Sequence, residues 1–153
     1  MRIYLDEMGS DSCYHREYGY APRGEKVTGE VLGKKFARTN LIAAQIGSHL
    51  IAPMYYNENT DSAIFEVWFE GRLMPLLSPG HVVMMDNASF HRKEKLRKIA
   101  ARYHVSVLFL PPYSPDLNPI EKTWANIKRW LKSHIHEYKS FEDALEAAID
   151  FYS

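Results

Sequence analysis

LFLPPYSPDLNPIEKTWANIKRWL, Leu108 to Leu131, opens as the end of an apolar strand and closes as an amphipathic helix, with four prolines between. Pro111, Pro112, Pro115 and Pro119 fall within nine residues. Each locks φ at about −65° and biases the residue before it toward extended backbone, so the connection is rigid before any packing is counted. Beyond it Ile120, Trp124, Ile127 and Leu131 recur at helical spacing and mark a buried side, with Glu121 in the first turn. A loop this stiff suits a chain that must hold one carboxylate in one place. Glu121 also has a purely local reading. Asn118 at the N-cap, Pro119 at N1 and Glu121 at N3 have capping-box spacing, in which Glu121 reaches back to a backbone N–H.

Upstream, His81 to Met85 is an unbroken apolar run after Ser78-Pro79-Gly80 and ends at Asp86-Asn87. A run without alternation predicts a strand covered on both faces. His91 to Tyr103 reads as a helix through Leu96, Ile99, Ala100 and Tyr103, and Val105 to Leu110 as the strand entering the proline loop. Arg38 to Tyr56 reads as a hairpin, with Leu41 to Ile46 apolar, Gly47-Ser48 turning and His49 to Tyr56 returning. Thr60 or Asp61 offers an N-cap for a well-buried helix over Ser62 to Leu73, with Ile64, Val67 and Trp68 on one side.

At the N-terminal end, Arg2 to Asp6 predicts a short strand ending in two acids, Asp6 and Glu7. Alternation lets only one of them face a given site, and Asp6, which ends the apolar run, is assigned. Ser10 to Ala37 has no clear periodicity; Tyr14, Tyr18 and Tyr20 interleave with His15, Arg16 and Arg23 and are read as packing under a long connection. A last helix spans about Ser140 to Phe151. Three strands in antiparallel order followed by alternating helix and strand predict an α/β fold, a mixed sheet with helices on both faces.

The 153 residues suit a single domain with a substantial core, and 46% apolar with 25% charged residues is ordinary globular composition. One cysteine, Cys13, excludes an internal disulfide framework and fits a reducing, cytoplasmic setting. No apolar run approaches the roughly 20 residues of a membrane span, so no membrane partner is expected. The 19 basic and 19 acidic residues balance, but Arg92, Lys93, Lys95, Arg97, Lys98 and Arg102 cluster, and Lys122, Lys128, Arg129 and Lys132 form a second basic face. These are solvated helix faces or a footprint for phosphates.

Asp6, Asp86 and Glu121 are carried on or just after strands, where functional groups of open α/β sheets gather. Three converging carboxylates repel one another unless some take up protons. Divalent cations remove the conflict, and Mg²⁺ or Mn²⁺ prefers carboxylate oxygen. Two such ions about 4 Å apart support in-line phosphoryl transfer. Singly, each acid has a local reading, as strand-end turn, helix cap or capping box.

Taken jointly, YLDE (Tyr4 to Glu7), MMDNASFH (Met84 to His91) and LPPYSPDLNPIEKTWANIKRWL (Leu110 to Leu131) resemble the DDE transposases of the mariner-like superfamily, in the bacterial insertion-sequence group. Asp86 and Glu121 stand 35 positions apart, a spacing typical of that superfamily. The resemblance covers nearly the whole chain. It implies a ribonuclease H-like fold with Asp6, Asp86 and Glu121 as the metal-binding catalytic triad. It also implies Mg²⁺- or Mn²⁺-dependent cleavage at transposon ends and strand transfer into target DNA, commonly at a TA dinucleotide. Asn87, His91, Asn118, Arg92, Lys93, Lys122 and Lys128 are candidates for supporting the acids or contacting DNA. Self-association in a transposition complex, on DNA in the bacterial nucleoid, is expected with it. The chain starts at the first catalytic strand, without the helix-turn-helix region usual in such transposases; that region is expected as an upstream segment or separate polypeptide. Two alternatives carry different expectations. A non-catalytic DNA-binding or assembly module, a truncated relic with a regulatory role, would bind DNA without cleaving it. A receiver-like signalling domain has no place for the hairpin or for the proline-anchored Glu121.

Overall fold

The computed structural model describes residues 1–11, 38–57 and 59–153. Five strands form one sheet: β1 (Arg2–Asp11), β2 (Arg38–Ile46), β3 (His49–Tyr56), β4 (Val82–Met85) and β5 (Ser106–Phe109), in the order β3-β2-β1-β4-β5. β2 runs antiparallel to both its neighbours, β1 and β3; β4 runs parallel to β1, and β5 to β4. Among the described residues the α-helices are α1 (Ser62–Trp68), α2 (Lys93–Arg102), α3 (Ile120–His134) and α4 (Phe141–Tyr152). The mixed sheet with antiparallel and parallel halves is as the residue order predicts.

Alternation along β1 and β2 divides the interior in two. Ile3, Leu5, Ile42 and Ala44 face α1 and α2, packing with Phe65, Trp68, Leu96 and Ile99. Met8, Leu41 and Ala43 face α3 and α4, packing with Trp124, Ile127, Leu131 and Leu145. The helices therefore cover both faces, and each sheet face buries a layer of aliphatic and aromatic side chains away from water. Among the described residues no helix is long and apolar enough to cross a membrane.

Several boundaries move for identifiable reasons. β1 continues five residues beyond the expected Asp6, because Glu7 to Asp11 pair with Ile42 to Arg38 on β2. The remainder of the tyrosine-rich stretch, residues 12–37, lies outside the described residues. The hairpin turns at Gly47-Ser48 with Gly47 at φ +59, as its sequence requires. β3 carries a bulge: Ile42 pairs with Met54 but Ala44 with Ile51, and Ala52 takes φ +53. The carbonyls freed there are used, since Trp68 Nε1 donates to Ala52 O at 2.7 Å and Arg72 to Pro53 O at 3.1 Å.

The helix expected over Ser62 to Leu73 is capped by Asp61, whose Oδ1 accepts from Ile64 N at 2.9 Å. It is α-helical to Trp68 and continues as a π turn over Phe69–Leu73. It is buried on one face only, as Val67 is 73% exposed while Phe65, Trp68 and Phe69 are sealed. β4 alternates half-buried and buried residues rather than being fully covered on both sides. Val83 and Met85 join the core under α1 and α2, whereas β4 contributes no residue to the core under α3 and α4.

Candidate metal centre

The site follows from a difference in strand length. β1 and β4 run in register with Tyr4 opposite Met84. β4 stops at Met85, whereas β1 continues to Asp11 against β2. Extending the register sets Asp86 level with Asp6, in a notch beside β1. Asp6 thus does not end its own strand, contrary to the sequence reading. It sits in the middle of β1, at the level where the neighbouring strand ends.

Asp6 points to the α3 side of the sheet. Trp124 Nε1 donates to its Oδ2 at 3.3 Å, and Glu121, three residues earlier on α3, lies beside its carboxyl. Asn118 anchors the start of α3 to the same strand, its Nδ2 donating to Leu5 O at 3.2 Å. The expected capping box is not formed: the N-terminus of α3 has no side-chain cap, and Glu121 N bonds to Asn118 O at 3.1 Å. Asn118 turns its Nδ2 to β1 and Glu121 lies beside Asp6, while Asn118 Oδ1, the atom a cap would use, is buried without a partner. Trp124 was read as a core residue; nothing in its spacing distinguishes an indole that also donates to an acid.

Asp86, at the mouth of the notch, has a side chain 50% exposed and accepts from His91 Nε2 at 3.1 Å. The His91 ring is fully buried, with its centroid 4.4 Å from Phe65 and 4.3 Å from Phe90. An ionised carboxylate can only accept, so Nε2 carries the proton in this pair. The aromatic box leaves the imidazole little freedom, and Asp86 is oriented through it.

Glu7 is the acid the sequence reading set aside, and the structure brings it in. Ligand oxygens of Asp6, Glu7 and Asp86 all lie within 4.8 Å of one another. Burial, then the Glu121 carboxyl beside it and the nearby charge of Glu7, push the Asp6 carboxyl up to about 9. Burial, then the charge of Asp86, pushes Glu7 up to about 8. The cation-free cluster therefore holds protons where isolated acids would not.

A cleft of about 380 Å³ opens beside Asp86, lined by Asp86, Asn87, the proline loop from Leu110 to Pro115, Asn118 and Glu121. Of the basic candidates, Arg92 is engaged by Glu66, its Nε donating to Oε1 at 2.8 Å, and Lys95 joins the same carboxylate at 3.2 Å. Arg102 pairs with Glu70 at 2.5 Å. Lys93 lies over the Phe109 ring, 5.2 Å from its centroid. Arg92, Lys95 and Arg102 thus have acidic partners within the fold. Lys122 is exposed and Lys128 half-buried on α3.

Comparison with known proteins agrees with the fold. The family model described as "DDE superfamily endonuclease" matches residues 1–144. The chain is 35% identical over 63 residues to the Sinorhizobium fredii protein y4pE/y4sA, covering 40% of this chain and 43% of that one. It is 37% identical over 68 residues to the Tc1 transposase of Caenorhabditis elegans, covering 44% of this chain and 25% of that one. Among solved structures, a Mos1 transposase paired-end complex with left transposon end superposes with a TM-score of 0.64 at 18% identity, over 99% of this chain and 47% of that one. A Mos1 paired-end complex with Mn gives 0.60 at 18% identity, over 99% and 47%. The matched segments thus span less than half the length of these relatives.

Proposed function

Because the chain belongs to the DDE superfamily endonucleases, with a ribonuclease H-like fold of the mariner transposase type, we propose that it cleaves DNA at transposon ends and transfers the strand to target DNA. The observation that carries this reading is the convergence of Asp6, Asp86 and Glu121 from β1, the end of β4 and the start of α3. The donor set fits Mg²⁺ or Mn²⁺, since it is all carboxylate oxygen and, without a cation, strained enough to hold protons. The Mos1 complex with Mn supports the same choice.

Asp6, Asp86 and Glu121 would hold the ions, which when bound activate the attacking oxygen and stabilise the leaving one. The chain's own residues do the positioning. Trp124 fixes Asp6 from below, His91 orients Asp86, and Asn118 ties the Glu121 helix to β1. The cleft walled by the proline loop admits the DNA backbone, with Asn87 at its rim. Lys122 and Lys128 on α3 are assigned to phosphate contacts. Arg92 and Lys93 have a smaller share, given their partners within the fold.

These residues act as one catalytic unit. Recognition of the element's ends by a helix-turn-helix region or partner, self-association in the transposition complex, a TA target and a cytoplasmic, DNA-bound location belong to the same proposal. The test is cleavage of end-containing DNA in Mg²⁺ or Mn²⁺ by the chain supplied with a helix-turn-helix partner. Asp86→Ala is expected to reduce cleavage at least 1000-fold (roughly 4 kcal/mol of transition-state stabilisation) with the fold intact by circular dichroism. Undiminished cleavage by the variant sinks the assignment of Asp86. DNA binding without cleavage by the native chain selects the non-catalytic module instead.

A further inference from the structure

We propose that Glu7 is a fourth carboxylate of the metal site, meeting the cation held by Asp6 and Asp86 from the opposite face of the sheet. The inference rests on the metal-site reading above and extends it to a residue outside the three-acid set.

Along β1, Glu7 shares its face with Ile3 and Leu5, the face covered by α1 and α2, whereas Asp6 faces α3. Side chains on opposite faces of a strand are normally kept apart by the neighbouring strand. Here β4 ends at Met85, and the notch beyond it is occupied by Asp86. Two adjacent residues of β1 can therefore approach one point from two sides. Their oxygens do so, lying with that of Asp86 within 4.8 Å of one another.

The second observation concerns Glu7 alone. Its Oε1 is buried and has no hydrogen-bond partner. Each of its neighbours in the cluster has one: Asp6 has Trp124 and Asp86 has His91. A buried acidic oxygen without a donor is costly, and an apolar side chain on the same strand face would be cheaper. A proton or a cation relieves it. The nearby carboxylate of Asp86 and the all-oxygen donor set select a divalent cation such as Mg²⁺ or Mn²⁺. Glu121 lies beside Asp6 and is not among the three acids whose oxygens meet. Glu7 and Asp6 thus bracket Asp86, leaving its exposed edge toward the cleft.

The test is Mn²⁺ binding to the whole chain without DNA, followed by calorimetry and by loss of the free-Mn²⁺ electron paramagnetic resonance signal. Native protein is expected to bind Mn²⁺, Asp86→Asn to lose binding, and Glu7→Gln to bind at least 10-fold more weakly while remaining folded by circular dichroism. Glu7→Asp keeps the charge but withdraws the oxygens by one methylene. It is expected to fall between native protein and Glu7→Gln, and it decides the matter if Glu7→Gln does not fold. Native-like affinity in a folded Glu7→Gln, or in Glu7→Asp if the former is unfolded, overturns the proposal while the three-acid site stands. Failure of the native protein to bind Mn²⁺ overturns both.

Discussion

Asp6 and Glu7 are neighbours in β1 whose buried carboxyls both meet Asp86, and their protonation governs the cation-free molecule. Their ordinary values are 3.8 and 4.5, raised in the fold to about 9 and about 8. Between these limits the folded state binds more protons than the unfolded state, so stability falls as pH rises. The contribution is complete below about pH 4, falls progressively above it and is gone once pH passes 8 to 9. Asp6→Asn removes one of the two titrations while keeping an oxygen for Trp124. In metal-free buffer it is expected to melt close to the native protein at pH 5 and several degrees higher at pH 9, about 2–4 °C for each kcal/mol recovered. Equal melting temperatures at pH 9 would refute the raised Asp6. The same two residues mark a limit of one-dimensional reading. Strand alternation correctly put them on opposite faces, yet the choice of Asp6 alone assumed that a site belongs to one face. A notch at the end of β4 belongs to both.

At the scale of elements, the proline loop and α3 act as a bracket between β5 and β1. The loop runs from the end of β5, makes a 3-10 turn over Pro115–Leu117 and delivers α3 across β1. Asn118 joins the bracket to Leu5 O, and Glu121 and Trp124 lie one turn apart on the helix side that meets Asp6. Asn118→Ala removes a buried hydrogen bond and is expected to cost about 1–2 kcal/mol in urea unfolding. It is also expected to weaken Mn²⁺ binding several-fold by releasing Glu121 from its place over Asp6. A stability loss with unaltered Mn²⁺ affinity would make the bracket a clamp on the fold only. The helical periodicity of Ile120, Trp124, Ile127 and Leu131 was legible because it repeats one local geometry. The capping-box reading of Asn118 and Glu121 failed because the fold turns Asn118 to β1, more than a hundred residues away in sequence, and sets Glu121 beside Asp6.

Across the whole molecule, the sheet divides the two cores and opens the site where antiparallel and parallel halves meet. β1 is the seam: paired antiparallel to β2 on one side and parallel to β4 on the other. A cation bound there contacts residues from three parts of the chain and has no comparable site in the unfolded state. Mn²⁺ at 100 times its dissociation constant should stabilise the native state by about 2.7 kcal/mol. The melting temperature at pH 7.5 is then expected to rise by roughly 5–10 °C, and the rise to shrink toward pH 5 as protons compete for the same oxygens. A rise that is independent of pH would argue for binding elsewhere.

The sequence by itself determined the element order, the two-face layering and the three acids, because apolar periodicity, prolines and caps act over a few residues. The family resemblance carried by the YLDE, MMDNASFH and proline-loop motifs was likewise present in the chain as written. Only the tertiary structure decided that β1 outruns β4 and that Glu7 enters the cluster. It also decided that Arg92 serves Glu66 and that Asn118 serves β1. Each of these depends on which distant groups the fold brings within reach, and local pattern carries no record of that.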